Sequence, residues 1–309
     1  MSPTDLDRVR YVEVNKLRLA YESFGAEDAP MILLIHGLAT QMLAWPTSLC
    51  ETIAAEGYRV VRFDNRDIGL SSTLDELGKP NIPWLALQSW LGVEPNPPYM
   101  VRDMADDAFT LMRALGAETA HVVGASMGGM IAQHMGALHP DRIQTLTMIM
   151  SSSGAKGLPD TRKDLQKLMA SPPLDDDPEA AIQHALRFWQ AIASPAYPPD
   201  PSTLEAFVRA CAARCAPGGA NETRHLAAVI ADGSRVDILR RIRIPALVIH
   251  GDADPLVPLE CGADIARHIP NSRLEIVVGM GHDLPVQLVD RLATLLVTHF
   301  SRPNEDSKQ

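Results

Sequence analysis

The stretch Gly124-Ala125-Ser126-Met127-Gly128 constrains this chain more than any other. Before it runs Ala120-His121-Val122-Val123, a short apolar segment of β character, and after it residues 127–135 open a helix. A G-x-S-x-G at a strand-to-helix junction has the form of a nucleophile elbow. Glycines two before and two after the serine relieve crowding. The serine can then hold a strained backbone conformation with its hydroxyl projecting from the strand edge. The helix that follows turns its free N–H groups and positive dipole end toward any oxyanion formed there.

The flanking sequence supplies a fold for that turn. Residues 11–24 alternate as a hairpin, with Val12, Val14, Leu17, Leu19 and Tyr21 facing inward. Met31–Ile35 is an uninterrupted apolar run, the mark of a strand covered on both faces. A helix over 43–56, a strand over 58–63, a helix over 102–115 and a strand over 145–150 continue the rhythm. It stops between 151 and 240, where helical segments at 162–169, 179–192 and 201–213 are parted by joints such as Ser171-Pro172-Pro173 and Tyr197-Pro198-Pro199. It resumes with a strand at 246–250, a helix at 259–268, a strand at 273–278 and a last helix at 285–299. This is the α/β class, a doubly wound sheet formed by residues 1–150 and 241–309. Residues 151–240 are expected to form a helical cap (lid) over the carboxyl edge of the strands. A second insertion, residues 72–99, carries Trp84, Leu85, Leu87 and Trp90 and then Pro95, Pro97 and Pro98. It either walls an acyl pocket or packs against the cap.

A serine hydroxyl needs a neighbouring base to take its proton, and that base is usually a histidine held by a carboxylate. Of ten histidines, His282 stands in Gly279-Met280-Gly281-His282-Asp283, after a predicted strand and between glycines that allow a sharp turn. His36 precedes a candidate oxyanion loop and reads as structural, and His121 and His250 sit in strand runs as core residues. His134, His139, His184, His225, His268 and His299 fall on helices or their ends without a motif. For the carboxylate, Gly251-Asp252-Ala253-Asp254-Pro255 follows a strand directly. Asp254, at the tip, can reach back to the histidine, while Asp252 is placed to hydrogen-bond the turn. After the preceding strand, residues 151–156 offer no acid. The order Ser126, Asp254, His282 is opposite to that of the His-first serine proteases. Oxyanion donors are expected from the Met127 N–H and, in His36-Gly37-Leu38-Ala39, from the Leu38 N–H.

With these blocks in order over nearly its whole length, the chain resembles the α/β-hydrolase superfamily. Phe63–Ser71 stands where that family has a D-x-R-G-x-G-x-S turn, with Asp67 in place of the usual glycine. That variant and residues 125–133 are similar to the bacterial carboxylesterase branch that includes aclacinomycin methylesterase. The resemblance implies an eight-stranded, mostly parallel sheet with helices on both faces and a Ser-His-Asp serine carboxylesterase working through an acyl-enzyme. It further implies no cofactor and no metal, and a monomer or small homo-oligomer. Asp64 and Arg66 read as a structural turn and salt bridge. Lactonase, C–C hydrolase, thioesterase and perhydrolase chemistries use the same triad, and a ligand-binding receptor is a reading from another class.

Composition narrows the partners. A net charge of -10 excludes a polyanion such as nucleic acid, and 46% hydrophobic residues suit a soluble globular protein acting on a small, hydrophobic ester. Cys50, Cys211, Cys215 and Cys261 lack metal-type spacing and read as reduced structural thiols. No apolar signal core opens the chain and no 18-residue apolar run occurs, which predicts a cytoplasmic protein without stable membrane insertion.

Overall fold

Alternate residues of the buried strands point to opposite sides, and that alternation builds the molecule in three layers. In the computed structural model, which describes residues 8–171 and 177–301, eight strands form one sheet. They are β1 (Arg10–Val14), β2 (Leu17–Phe24), β3 (Met31–Ile35), β4 (Arg59–Phe63), β5 (Ala120–Ala125), β6 (Ile143–Ile149), β7 (Ala246–Gly251) and β8 (Ser272–Val277). Their order is β1-β2-β4-β3-β5-β6-β7-β8. β2 runs antiparallel to β1 and β4, and every other pairing is parallel. The acidic pair Asp175-Asp176, the Pro172-Pro173 joint, residues 1–7 and residues 302–309 lie outside the described residues.

Leu33, Ile35, Val122, Leu146 and Val248 join one apolar layer with helices α3 (Val101–Ala114), α4 (Met127–Leu138) and α10 (Leu259–His268). Ile32, Leu34, Val123, Ile149 and Leu247 join the other, with α1 (Thr47–Ala55) and α11 (Val289–Phe300). Each such fully buried side chain is worth about 1.5–3 kcal/mol, so the sheet is held from both faces. The hairpin β1–β2 turns on Asn15 and Lys16, both left-handed (φ 50° and 67°), the turn whose twist suits adjacent strands. Val14, Leu17, Leu19 and Tyr21 are buried as the alternation predicts, and Val12 is half-buried.

After β3 the chain turns one way to β4, and it later enters β5 on β3's other side. The carboxyl ends of β3 and β5 therefore flank the point where strand order reverses, where open α/β sheets leave a crevice.

Residues 72–99 hold a helix that composition had disguised as a loop: α2 (Ile82–Trp90). The Asn81 side chain accepts the Trp84 N–H and Pro83 sits in the first turn, where its missing donor costs nothing. Of the two readings for this insertion, packing is the one observed, because α2 rests on α8 (Ala220–Asp232). Between β6 and β7 the chain runs through α5 (Lys163–Met169), α6 (Pro178–Ile192), α7 (Pro201–Arg214), α8 and the one-turn α9 (Val236–Leu239). Two of them open on a proline at the first helical position behind an aspartate cap: Asp177 caps α6 and Asp200 caps α7. α8 also packs on α3, and α9 packs on α4. Among the described residues no helix is long and apolar enough to cross a membrane.

Candidate active site

Ser126 sits where β5 ends and α4 begins, at φ 56° and ψ −120°, a left-handed conformation that costs a non-glycine residue about 1–3 kcal/mol. The strand and helix cross too closely for side chains. A Cβ on Gly124 would lie 2.0 Å from the Gly128 carbonyl oxygen, and one on Gly128 would lie 2.1 Å from that of Ile35. The two glycines of the motif are thus required by contact distance. The turn is held by the Ser126 N–H donating to the Ile149 oxygen (2.9 Å) and by the Ser151 hydroxyl donating to the Ser126 oxygen (2.8 Å).

The loop after β3 lies directly against the serine: a side chain on Gly37 would come within 3.0 Å of Ser126 Cβ and 3.4 Å of its Oγ. Met127, the other expected oxyanion donor, is the first residue of α4, so its N–H has no carbonyl one turn earlier to accept it.

His282 and Asp254 meet Ser126 from the far end of the chain. His282 Nε2 is 3.0 Å from Ser126 Oγ, and its Nδ1 is 2.7 Å from Asp254 Oδ2. The other oxygen of Asp254 accepts the N–H groups of Leu256 (2.9 Å) and Val257 (2.8 Å). Burial alone would raise the Asp254 pKa. The His282 charge, hydrogen bonds from His250 and His282 and the Val257 N–H outweigh it and hold the carboxyl below the ordinary carboxylate range. Asp252 is exposed and accepts the Gly279 N–H at 2.6 Å, the turn-binding role its position suggests. His36 is buried edge-on to Trp45, and burial, with the charge of His282, lowers its pKa to about 3. His121 and His250 are core residues as expected.

The His282 loop leans on the inserted helices. Its N–H donates to the Ile192 oxygen at the end of α6 (2.8 Å), and the Gly281 N–H donates to Ser194 Oγ (2.8 Å). Asp283 in turn accepts from both the N–H and the hydroxyl of Ser194. Burial raises the Asp283 pKa, partly offset by these bonds.

A cavity of about 230 Å³ opens beside Ser126 and His282. Its wall is apolar, built by Leu38 of the loop, Met130 of α4, Met169 of α5, Phe188 and Trp189 of α6, and Leu256. Met127 lines it too, and Met130 both lines it and packs on the core. Nothing from residues 72–99 reaches it.

The family-like turn after β4 is structural, with partners the sequence did not indicate. Asp64 is fully buried, accepts the Met42 N–H (2.8 Å) and the Leu70 N–H (3.0 Å), and pairs with Arg214 of α7. Arg66 pairs with Asp107 at 2.6 Å. Asp67 stands at φ 68°, a conformation natural to the glycine usual there and tolerated by aspartate. Its carboxylate takes Arg224 of α8 bidentately (2.7 and 2.8 Å) and the Tyr99 hydroxyl (2.7 Å). Gln41, Ser194 and His225 carried no motif and pair across dozens of residues, beyond any local pattern. Among the described residues no group of three His, Cys, Asp or Glu side chains is placed to hold a metal.

Comparison with known proteins agrees with the fold. A family model described as alpha/beta hydrolase fold matches residues 30–287. Rhodomycin D methylesterase of a Streptomyces species is 26% identical over 311 residues, covering 94% of this chain and 97% of that protein. Among solved structures, a bacterial membrane phospholipase A superposes with a TM-score of 0.75 at 21% identity, over 97% of this chain and 91% of its own. A meta-cleavage product hydrolase from Pseudomonas fluorescens gives 0.73 at 19% identity, over 96% and 98%. At those identities the two structures speak for the fold.

Proposed function

We propose that this chain, which belongs to the α/β-hydrolase family, is a serine carboxylesterase that cleaves esters of uncharged, apolar acids. Ser126 Oγ attacks the ester carbonyl carbon while His282 Nε2 takes the hydroxyl proton. The oxyanion is met by the N–H groups of Met127 and Leu38. Collapse of the tetrahedral intermediate breaks the bond to the alkoxide, which leaves with the proton returned by His282. Water, deprotonated by the same nitrogen, then attacks the acyl-enzyme and releases the acid. Asp254 keeps the proton of the resting imidazole on Nδ1, so that Nε2 is free to accept. The helices α5 and α6 act as a cap whose side chains size the acyl pocket.

The observation that carries this reading is the continuous line from Ser126 through His282 to Asp254, opening on an apolar cavity. The similarity to a methylesterase supports methyl esters as the first substrates to try. Purified protein should turn over p-nitrophenyl esters, and Ser126→Ala should abolish this at unchanged stability. Sustained hydrolysis by the alanine variant would overturn the assignment.

A further inference from the structure

The loop after β3 has an anchor on a helix nearly two hundred residues away. His225, on α8, is completely buried. Its Nδ1 lies 3.2 Å from the Ala39 nitrogen and its Nε2 lies 2.8 Å from the Arg66 oxygen. Both partners are backbone groups of fixed polarity. The carbonyl of Arg66 can only accept, so the ring proton is on Nε2; the N–H of Ala39 can only donate, so Nδ1 is a bare acceptor.

The bond to Ala39 falls at a sensitive place. Ala39 is held at φ 55°, a conformation alanine rarely adopts. The peptide between Leu38 and Ala39 is pinned at both ends, its N–H by His225 and its C=O by the Thr40 hydroxyl (2.9 Å). The Gly37 N–H on the other side is held by His36 Nδ1 (2.7 Å). The Leu38 N–H lies between two fixed peptides and follows Gly37, where an added Cβ would come within 3.4 Å of Ser126 Oγ.

We propose that His225 is a positioning residue for the oxyanion loop: as a neutral Nε2–H imidazole it holds Ala39 in its strained conformation and so aims the Leu38 N–H at the reacting carbonyl. This rests on the esterase reading of Ser126, His282 and Leu38. Burial, the largest influence, lowers the pKa of His225 from the ordinary 6.5. The groups facing it are the Arg66 carbonyl and the Asp67 charge, which favour protonation, and Arg66 and Arg224, which oppose it; the Tyr99 ring edge completes its surroundings. A protonated ring would turn a donor toward the donor of Ala39 and release the loop.

Two amide replacements separate the two bonds. In His225→Asn the amide oxygen can stand where Nδ1 stands and accept from Ala39. In His225→Gln the amide nitrogen can stand where Nε2 stands and donate to Arg66, leaving Ala39 without an acceptor. On a p-nitrophenyl ester, His225→Gln should lose about 100-fold in kcat with KM within about threefold, and His225→Asn should keep kcat within about fivefold. Affinity for a trifluoromethyl ketone, which forms the oxyanion, should fall in step with kcat, whereas affinity for the product carboxylate should not. Equal losses in Asn and Gln, or losses in thermal stability and KM alone, would overturn the proposal. NMR of nitrogen-labelled histidine in the wild type decides it independently of turnover. His225 should show an unprotonated Nδ1 at neutral pH, and an Nδ1–H tautomer there, or titration above the ordinary 6.5, refutes it. A wild type that hydrolyses no ester would instead count against the esterase reading.

Discussion

Replacing Asp254 with asparagine changes one oxygen to an NH2 group, and the surroundings decide which. Oδ1 accepts two backbone donors, from Leu256 and Val257, at 2.9 and 2.8 Å. The amide oxygen has to stay there, because turning the NH2 toward two N–H groups would leave two buried donors unsatisfied, about 1–3 kcal/mol each. The NH2 then faces His282 Nδ1 at the 2.7 Å now spanned by the carboxylate bond. A donor in that position forces the ring proton to Nε2, where it points at Ser126 and can no longer receive the hydroxyl proton. The expected loss in kcat is about 1,000- to 10,000-fold, or about 4–5.5 kcal/mol of barrier, with KM little changed. Steady-state hydrolysis of p-nitrophenyl butyrate measures it, with urea unfolding to show that the variant is folded. Asp252→Asn is the matched control and should stay within about twofold, since Asp252 holds only the Gly279 N–H at the surface. A loss below about 30-fold for Asp254→Asn, or equal losses for the two, would refute the tautomer argument.

Arg224→Met should cost about 3–5 kcal/mol in urea unfolding, because it strands the fully buried Asp67 carboxylate; adding Asp67→Ala should recover much of that. A single variant within 1 kcal/mol of wild type (about a fivefold change in the folding constant) would mean the pair is not a clamp. Acid should destabilise the fold well before the carboxylates protonate. Burial lowers His36 to about 3 and His121 to about 4, so between those values and the unfolded 6.5 only the unfolded chain takes up these protons. Stability is therefore complete above the unfolded value and falls as pH drops below it, by about 1.4 kcal/mol per pH unit for each histidine; a flat urea midpoint from pH 6.5 to 4.5 would contradict this. Gly128→Ala drives a Cβ to 2.1 Å from the Ile35 oxygen. It should lower both stability and kcat, and an unaltered kcat would show that the elbow yields more easily than its packing suggests.

Local chemistry made the centre of this molecule readable. The elbow, the His282 loop and the Asp254 tip each carry their geometry in neighbouring glycines, prolines and apolar runs, and the strands announce themselves because both of their faces are covered. What could not be read was whatever depends on distant pairing. α2 looked like a proline-rich loop because its proline occupies a first turn, where proline is harmless. α8 packs on both α2 and α3, and its His225 and Arg224, buried in the structure, look in the sequence like any polar residues of a solvated helix. Asp67 was visible only as a departure from glycine; its reason, Arg224, lies 157 residues on.

The inserted helices divide their labour, and the division has an evolutionary consequence. Arg214, Arg224 and His225, on α7 and α8, bind the loops that shape the reactive centre. Met169 and Phe188, on α5 and α6, give only apolar surface to the cavity. If the cavity holds the acyl group as proposed, exchanges at those two positions redraw which acyl groups fit without disturbing how they are cleaved. Descendants of this chain can therefore acquire new repertoires one wall residue at a time, each intermediate still an active enzyme.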